Sequence, residues 1–209
     1  MERDNRILHG LLLAFSTLWL AACGDPSRNL PEPAPLPEPV NRTVTYHDDV
    51  RPILESKCLT CHSCYDAPCQ LKLETAEGLI RGGHKKEAYD GTRTRTQTPT
   101  RLGMDAEGEA AWREKGFHSV LESDAEQKSL LYNMLALGKQ RPFQPNTLLP
   151  DDMELGVTRS NQCVAADEFD DYARKHPLEG MPLGVTGLSD KEFAIISAWL
   201  AQGAEIEAT

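Results

Sequence analysis

Residues 58–62 read Cys58-Leu59-Thr60-Cys61-His62, a C-x-x-C-H motif. Two thiols at this spacing can add to the two vinyl groups on one edge of a porphyrin, and the next residue supplies an imidazole for the iron. The motif therefore predicts one covalently bound haem c, attached through Cys58 and Cys61, with His62 as the proximal iron ligand.

Two other chemistries use a C-x-x-C pair, namely a redox-active dithiol and half of a zinc site. A zinc site needs a second pair of Cys or His ligands at a suitable distance. Cys64 and Cys69 lie close to the motif, so the sequence leaves zinc open as an alternative. The histidine that completes the motif and the export signal at the N-terminus favour haem.

Residues 1–22 are predicted to be a lipoprotein signal peptide. Two arginines precede an apolar run from Leu11 to Leu20, which is shorter than a transmembrane helix needs. The run leads into Ala21-Ala22-Cys23, the pattern of a bacterial lipobox, and this predicts cleavage before Cys23 and lipidation of its thiol. An ordinary signal peptide with a chance cysteine is the alternative. We expect a lipid anchor on the periplasmic side of a bacterial membrane, with Asp25 slightly favouring the inner membrane.

Prolines recur at alternate positions from Pro31 to Pro39, so residues 23–43 are predicted to be a semi-rigid linker of polyproline II character. The folded domain is then expected at 44–205, a length that suits one domain. The chain has a net charge of −10 at pH 7 and no basic patch. This composition argues against a nucleic-acid partner and against electrostatic binding to anionic lipid.

The lipid and the haem would together use three of the six cysteines, which leaves Cys64, Cys69 and Cys163. An oxidising periplasm favours one disulfide among these three. Cys64 and Cys69 are close in sequence and could close a small loop beside the haem, with Cys163 as the remaining cysteine. Three reduced thiols are the alternative, because spacing alone does not encode connectivity.

Helical patterns flank the domain at both ends. The first predicted helix runs from about His47 to Lys57 and delivers Cys58 directly. The last follows a capping box formed by Ser189 and Glu192 and ends near Gln202. Further helices are predicted between these two, and they are separated by turn-rich stretches at 82–101 and 142–152. The intervening helices are expected at 106–115, 124–137 and 166–175.

A methionine in a proline-rich loop before the last helix supplies the sixth iron ligand in small c-type cytochromes. Met181 precedes Pro182 in such a position and is the candidate here. The predicted fold is mostly α: a class I cytochrome c-like haem domain with a long helical and loop insertion between the haem motif and the distal-ligand loop. The competing side chains for the sixth position are Met104, Met134, Met153, His84, His118 and His176.

The stretch after the haem motif, SCYDAPCQLKL at 63–73, resembles the bacterial fatty acid cis/trans isomerase family. The CYDAPC run within it is far more specific than the haem motif alone. The resemblance covers about 44–205, essentially the whole folded part. Other segments that resemble the family are YDGTR at 89–93, WREKGF at 112–117, LLPD at 148–151 and HPLEGMP at 176–182.

The resemblance implies a periplasmic c-type haem protein that acts on membrane phospholipid acyl chains. Family members convert cis double bonds to trans without moving the bond, which stiffens the membrane under solvent or heat stress. Cys58, Cys61 and His62 fall on the family's haem motif and carry over as functional residues. The catalytic group would be the haem iron.

Members of the family are several hundred residues longer, and the resemblance is to their N-terminal haem portion. We therefore expect a truncated gene, a fragment, or a haem module that works with a second protein chain. Two functions compete with isomerisation: a membrane-tethered electron-transfer cytochrome c, and a haem sensor or docking subunit. A stable low-spin His/Met haem would favour electron transfer, whereas an exchangeable sixth position would favour catalysis.

Overall fold

Seven α-helices and one short antiparallel ladder make up the described part of the chain. The structure, a computed structural model, describes residues 30, 32–63, 67–86, 88, 100–125, 127–142 and 162–207. The chain divides into a unit at 1–32 and a unit at 33–209, and the second holds every described helix and strand. The predicted mostly-α architecture is confirmed.

The helices are α1 (Arg51–Lys57), α2 (Leu59–His62), α3 (Ala76–Arg81), α4 (Gly108–Glu114), α5 (Leu130–Gln140), α6 (Phe169–Lys175) and α7 (Asp190–Ala201).

The first predicted helix is present, although it is not uniform. A π-helical turn at Tyr46–Val50 runs directly into α1, and Pro52 lies in the first turn of α1, where its missing N–H is tolerated. Asp49 accepts a hydrogen bond from the main-chain N–H of Thr45 (3.0 Å) and so satisfies a donor at the start of the helix. The helix buries Val50 and Leu54 in the core and ends immediately before the C-x-x-C-H motif.

The last predicted helix is α7, and its capping box is as expected. The hydroxyl of Ser189 accepts from the main-chain N–H of Glu192, and the carboxylate of Glu192 accepts from the main-chain N–H of Ser189. The helix buries every residue from 193 to 200, not only one stripe, because other elements cover it on several sides. Tyr46 packs on Trp199, and Tyr132 of α5 packs on Phe193.

The insertion contains three helices close to the predicted ones, and α5 differs most. The sequence predicted a start at Asp124, but α5 begins after Ser129, whose hydroxyl accepts from the main-chain N–H of Tyr132. The carboxylate of Asp124 instead accepts from the main-chain N–H of Gln127 (2.7 Å), so the segment forms a local turn that competes with the helix. A short 3₁₀ turn, Ala166–Glu168, precedes α6.

Helix α3 and a two-stranded ladder were missed by the sequence patterns. Strand β1 (Gly83–His84) pairs antiparallel with β2 (Phe117–His118), and part of the ladder falls in the stretch that was predicted to be turns. Two-residue strands carry too little period-2 alternation to be recognised from sequence.

The predicted linker is shorter than expected at its C-terminal end. Leu36 and Val40 pack against the core, and the main-chain N–H of Ala34 donates to the carbonyl of Gln140 (2.9 Å). The folded unit therefore begins before residue 44. The predicted signal peptide, Cys23 and Asp25 lie outside the described residues. Within the described ranges, no helix is both long and apolar enough to span a membrane.

Candidate haem-attachment site

The C-x-x-C-H motif forms one turn of helix at the C-terminal end of α1. The N–H of Cys58 donates to the carbonyl of Leu54 (2.9 Å), and the N–H groups of Cys61 and His62 both donate to the carbonyl of Cys58 (3.1 and 2.9 Å). Residues three and four apart share one helix face, so Cys61 and His62 lie on the same side as Cys58. The motif thus presents two sulfurs and one imidazole together.

The two thiols are unlike one another. Neither Cys58 nor Cys61 forms a disulfide; Cys61 is exposed, whereas Cys58 is half-buried against the core. Burial is the main cause that raises the pKa of the Cys58 thiol to about 11, and the nearby Cys61 and Glu192 raise it further. Addition of an S–H group across a vinyl group leaves no charge on sulfur, so this burial does not oppose thioether formation.

The imidazole of His62 is oriented by a main-chain carbonyl. Its Nδ1 lies 3.0 Å from the carbonyl oxygen of Leu71, which can only accept, so Nδ1 carries the proton. That tautomer leaves the lone pair of the neutral ring on Nε2, the nitrogen suited to binding a metal. The N–H of Leu73 also donates to the carbonyl of His62 (2.9 Å), which holds the two segments together. The three predicted attachment residues therefore fit a haem c.

The disulfide in the segment before Leu71 differs from the predicted one. Cys69 is bonded to Cys163, with a Cα–Cα distance of 5.1 Å, so the expected Cys64–Cys69 pair is wrong. Proximity in sequence favoured Cys64, which lies outside the described residues, but the fold brings Cys163 to Cys69 across a separation of 94 residues. No signal in the sequence identifies this partner.

Met181, the predicted sixth ligand, lies in a loop seated closely on α5. Its N–H donates to the carbonyl of Met134 (2.9 Å), and the Met181–Pro182 peptide is cis. A Cβ added at Gly138 would lie 2.3 Å from the carbonyl oxygen of Met181, so this approach requires glycine. The Met181 side chain is partly buried against the core. The main chain of Met181 contacts α5, and the role of its side chain as sixth ligand stays a prediction.

The other candidates for the sixth iron ligand lie in different environments. Met134 is buried in the core, Met104 is 71% exposed, and Met153 lies outside the described residues. The Nδ1 of His176 is 3.1 Å from a carboxylate oxygen of the buried Glu179. His84 packs against Phe117, and burial is the main cause that lowers the pKa of His118. Over the described ranges, no group of three or more His, Cys, Asp and Glu side chains is arranged to hold a metal ion.

Comparison with known proteins identifies the family. Residues 97–209 match the model of the family described as fatty acid cis/trans isomerase (CTI), which is more than half of the 209-residue chain. The matched segment contains α4 to α7 and Met181, and it begins after the C-x-x-C-H motif. No curated protein and no solved structure matches the chain. Since the match covers over half of its length, the chain belongs to the fatty acid cis/trans isomerase family.

Proposed function

We propose that this chain is a periplasmic c-type haem protein that converts cis double bonds of membrane phospholipid acyl chains to trans. Family membership supports the reaction, and one observation supports the haem: the Nδ1 of His62 is held by the carbonyl of Leu71 within a helical C-x-x-C-H turn. The fold that surrounds the motif would then be a cytochrome c-like haem domain.

Two residues of the site would attach the porphyrin, and a third would bind its iron in a fixed orientation. Cys58 and Cys61 would fix one porphyrin edge, and His62 would present Nε2 to the iron in a set ring orientation. Haem held by these residues would supply an iron that can withdraw electron density from the alkene, which would allow rotation about the bond without net oxidation. No residue of the chain needs to exchange a proton with the substrate, because the double bond does not move.

A lipid on Cys23 would bring the haem domain to its substrate. We propose that the N-terminus of the mature chain is a lipid anchor on the periplasmic side of a bacterial membrane, with the inner membrane slightly favoured. The predicted lipobox supports this placement. A tethered domain would meet acyl chains in the same bilayer at high effective concentration.

The test is lipid analysis of vesicles that contain a cis-monounsaturated phospholipid, incubated with the haem-loaded full chain. We expect trans acyl chains to accumulate with the natural protein and to be absent with Cys58→Ala or His62→Ala. His47→Ala is the matched control, since His47 lies outside the motif and contacts the carbonyl of Glu207. Normal trans formation by His62→Ala would refute the role of the haem ligand. A haem-loaded natural chain that forms no trans lipid would refute activity of this chain alone and favour electron transfer.

A further inference from the structure

Arg81, the last residue of α3, is a cation buried in the interior. It is 1% exposed, and its Nε has no hydrogen-bond partner among the residues that the structure describes. None of the residues that the structure describes forms a carboxylate ion pair with it. Burial lowers the pKa of Arg81 to about 10, so the guanidinium is still charged at neutral pH. A buried cation is costly, so its hydrogen bonds and ring contacts must offset the lost hydration.

The guanidinium donates to main-chain and hydroxyl oxygens. One terminal nitrogen donates to the carbonyl of Gln70, and the other donates to the hydroxyl of Thr100 (3.1 Å). The guanidinium carbon lies 4.8 Å from the ring centre of Phe117 and 5.5 Å from that of Trp112, so both aromatic rings stabilise the cation.

Gln70 is itself fixed on its other sides. It is 5% exposed, its side-chain amide donates to the carbonyl of Lys86 (2.9 Å), and its side-chain oxygen accepts from the hydroxyl of Thr100 (3.2 Å). Cys69 and Gln70 both have positive φ angles, 57° and 52°, which non-glycine residues adopt only where the surroundings impose them. The Cys69–Cys163 disulfide anchors the preceding residue.

The carbonyl that Arg81 holds is next in sequence to the carbonyl that orients His62. Arg81 binds the oxygen of Gln70, and the oxygen of Leu71 accepts from Nδ1 of His62. Both oxygens belong to one short segment whose backbone conformation is set by these contacts. A shift of the Gln70 carbonyl would therefore move the acceptor that fixes the imidazole ring.

We propose that Arg81 is a positioning residue for the proximal histidine, acting through the Gln70–Leu71 segment. This rests on the proposed function, in which His62 binds haem iron. A strong hydrogen bond from Nδ1 makes the imidazole a better electron donor and favours the oxidised iron. Loss of Arg81 weakens that bond, so the midpoint potential of the haem rises. Partners of metal-bound histidines are typically worth tenfold or more in metal affinity or activity. If oxidised and reduced haem differ tenfold in their response to the loss, the midpoint potential shifts by about 59 mV for one electron.

The test is spectroelectrochemical titration of the haem-loaded full chain, together with the paramagnetically shifted proton resonances of the His62 ring. Arg81→Gln is expected to raise the midpoint potential and move those resonances, and Arg81→Lys is expected to restore part of both. Arg174→Gln is the control, because Arg174 is an exposed arginine of α6 that pairs with Asp171 and has no contact with Arg81 or the Gln70–Leu71 segment among the described residues. Its potential should equal that of the natural protein.

Several outcomes separate this inference from the proposed function. A natural chain that carries no haem would refute the proposed function. A haem-loaded Arg81→Gln variant with unchanged potential and resonances would refute the positioning role alone. If Arg81→Gln does not fold, Thr100→Val removes a shared hydroxyl from Arg81 and Gln70 and should shift the potential in the same direction by less. An unchanged potential in both Thr100→Val and Arg81→Lys would then overturn the inference.

Discussion

The disulfide between Cys69 and Cys163 should stabilise the fold strongly, because it closes a long loop. For a separation of 94 residues, the chain-entropy relation gives about 4.7 kcal/mol at 25 °C. The short loop that a Cys64–Cys69 bond would close gives only about 2 kcal/mol by the same relation. Stability measurements on cysteine variants therefore distinguish the two pairings.

The assay is equilibrium urea unfolding of the haem-loaded chain under oxidising conditions, followed by far-UV circular dichroism. The double variant Cys69→Ala/Cys163→Ala should lose about 4 kcal/mol, which corresponds to a fall in Tm of roughly 8–16 °C for a chain of this size. Cys64→Ala is the matched control and should unfold like the natural protein. A loss of about 2 kcal/mol in both Cys64→Ala and the double variant would refute the Cys69–Cys163 pairing.

Three further perturbations have defined outcomes. Gly138→Ala should cost about 1–3 kcal/mol of unfolding free energy, since its Cβ would lie 2.3 Å from the carbonyl of Met181; urea unfolding with no loss would contradict that close approach. Ser189→Ala should lower the unfolding free energy by about 1 kcal/mol and Ser189→Asn by much less, because Asn also caps a helix. The hydrogen bonds from Arg42 are the main cause that lowers the pKa of Asp49 to about 2. The ionised carboxylate therefore stabilises the fold above about pH 4, and this stability is lost as the pH falls towards 2. Both side chains are solvent-accessible, so the loss should be about 0.5–1 kcal/mol, and Asp49→Asn should remove it from the pH profile of unfolding.

Local signals in the sequence were sufficient to locate the first and the last helix of the folded unit. The capping box of Ser189 and Glu192 places the start of α7 correctly, because both of its hydrogen bonds join residues three apart. The C-x-x-C-H motif is likewise local, and the fold brings Cys58, Cys61 and His62 onto one helical turn. Such features join residues three or four apart along the chain, so a sequence pattern can identify them.

Contacts between distant segments could not be read in the same way. The acceptor for His62 is a main-chain carbonyl, which every residue possesses, so nothing in the sequence distinguishes Leu71. The partner of Cys69 lies 94 residues away, and spacing favoured the nearer Cys64. Arginine is usually a surface residue, so the sequence does not indicate that Arg81 is buried. Its burial becomes evident only from the packing of Phe117 and Trp112 around it.

The mass of the proteolytic peptide that contains Cys58 and Cys61 shows whether this chain carries a haem. The chain should be purified from the periplasm of a bacterium that has the machinery for c-type cytochrome maturation. We expect one haem bound to this peptide through two thioethers, with the absorption spectrum of a haem c. A peptide of unmodified mass, colourless and with two alkylatable thiols, would contradict it.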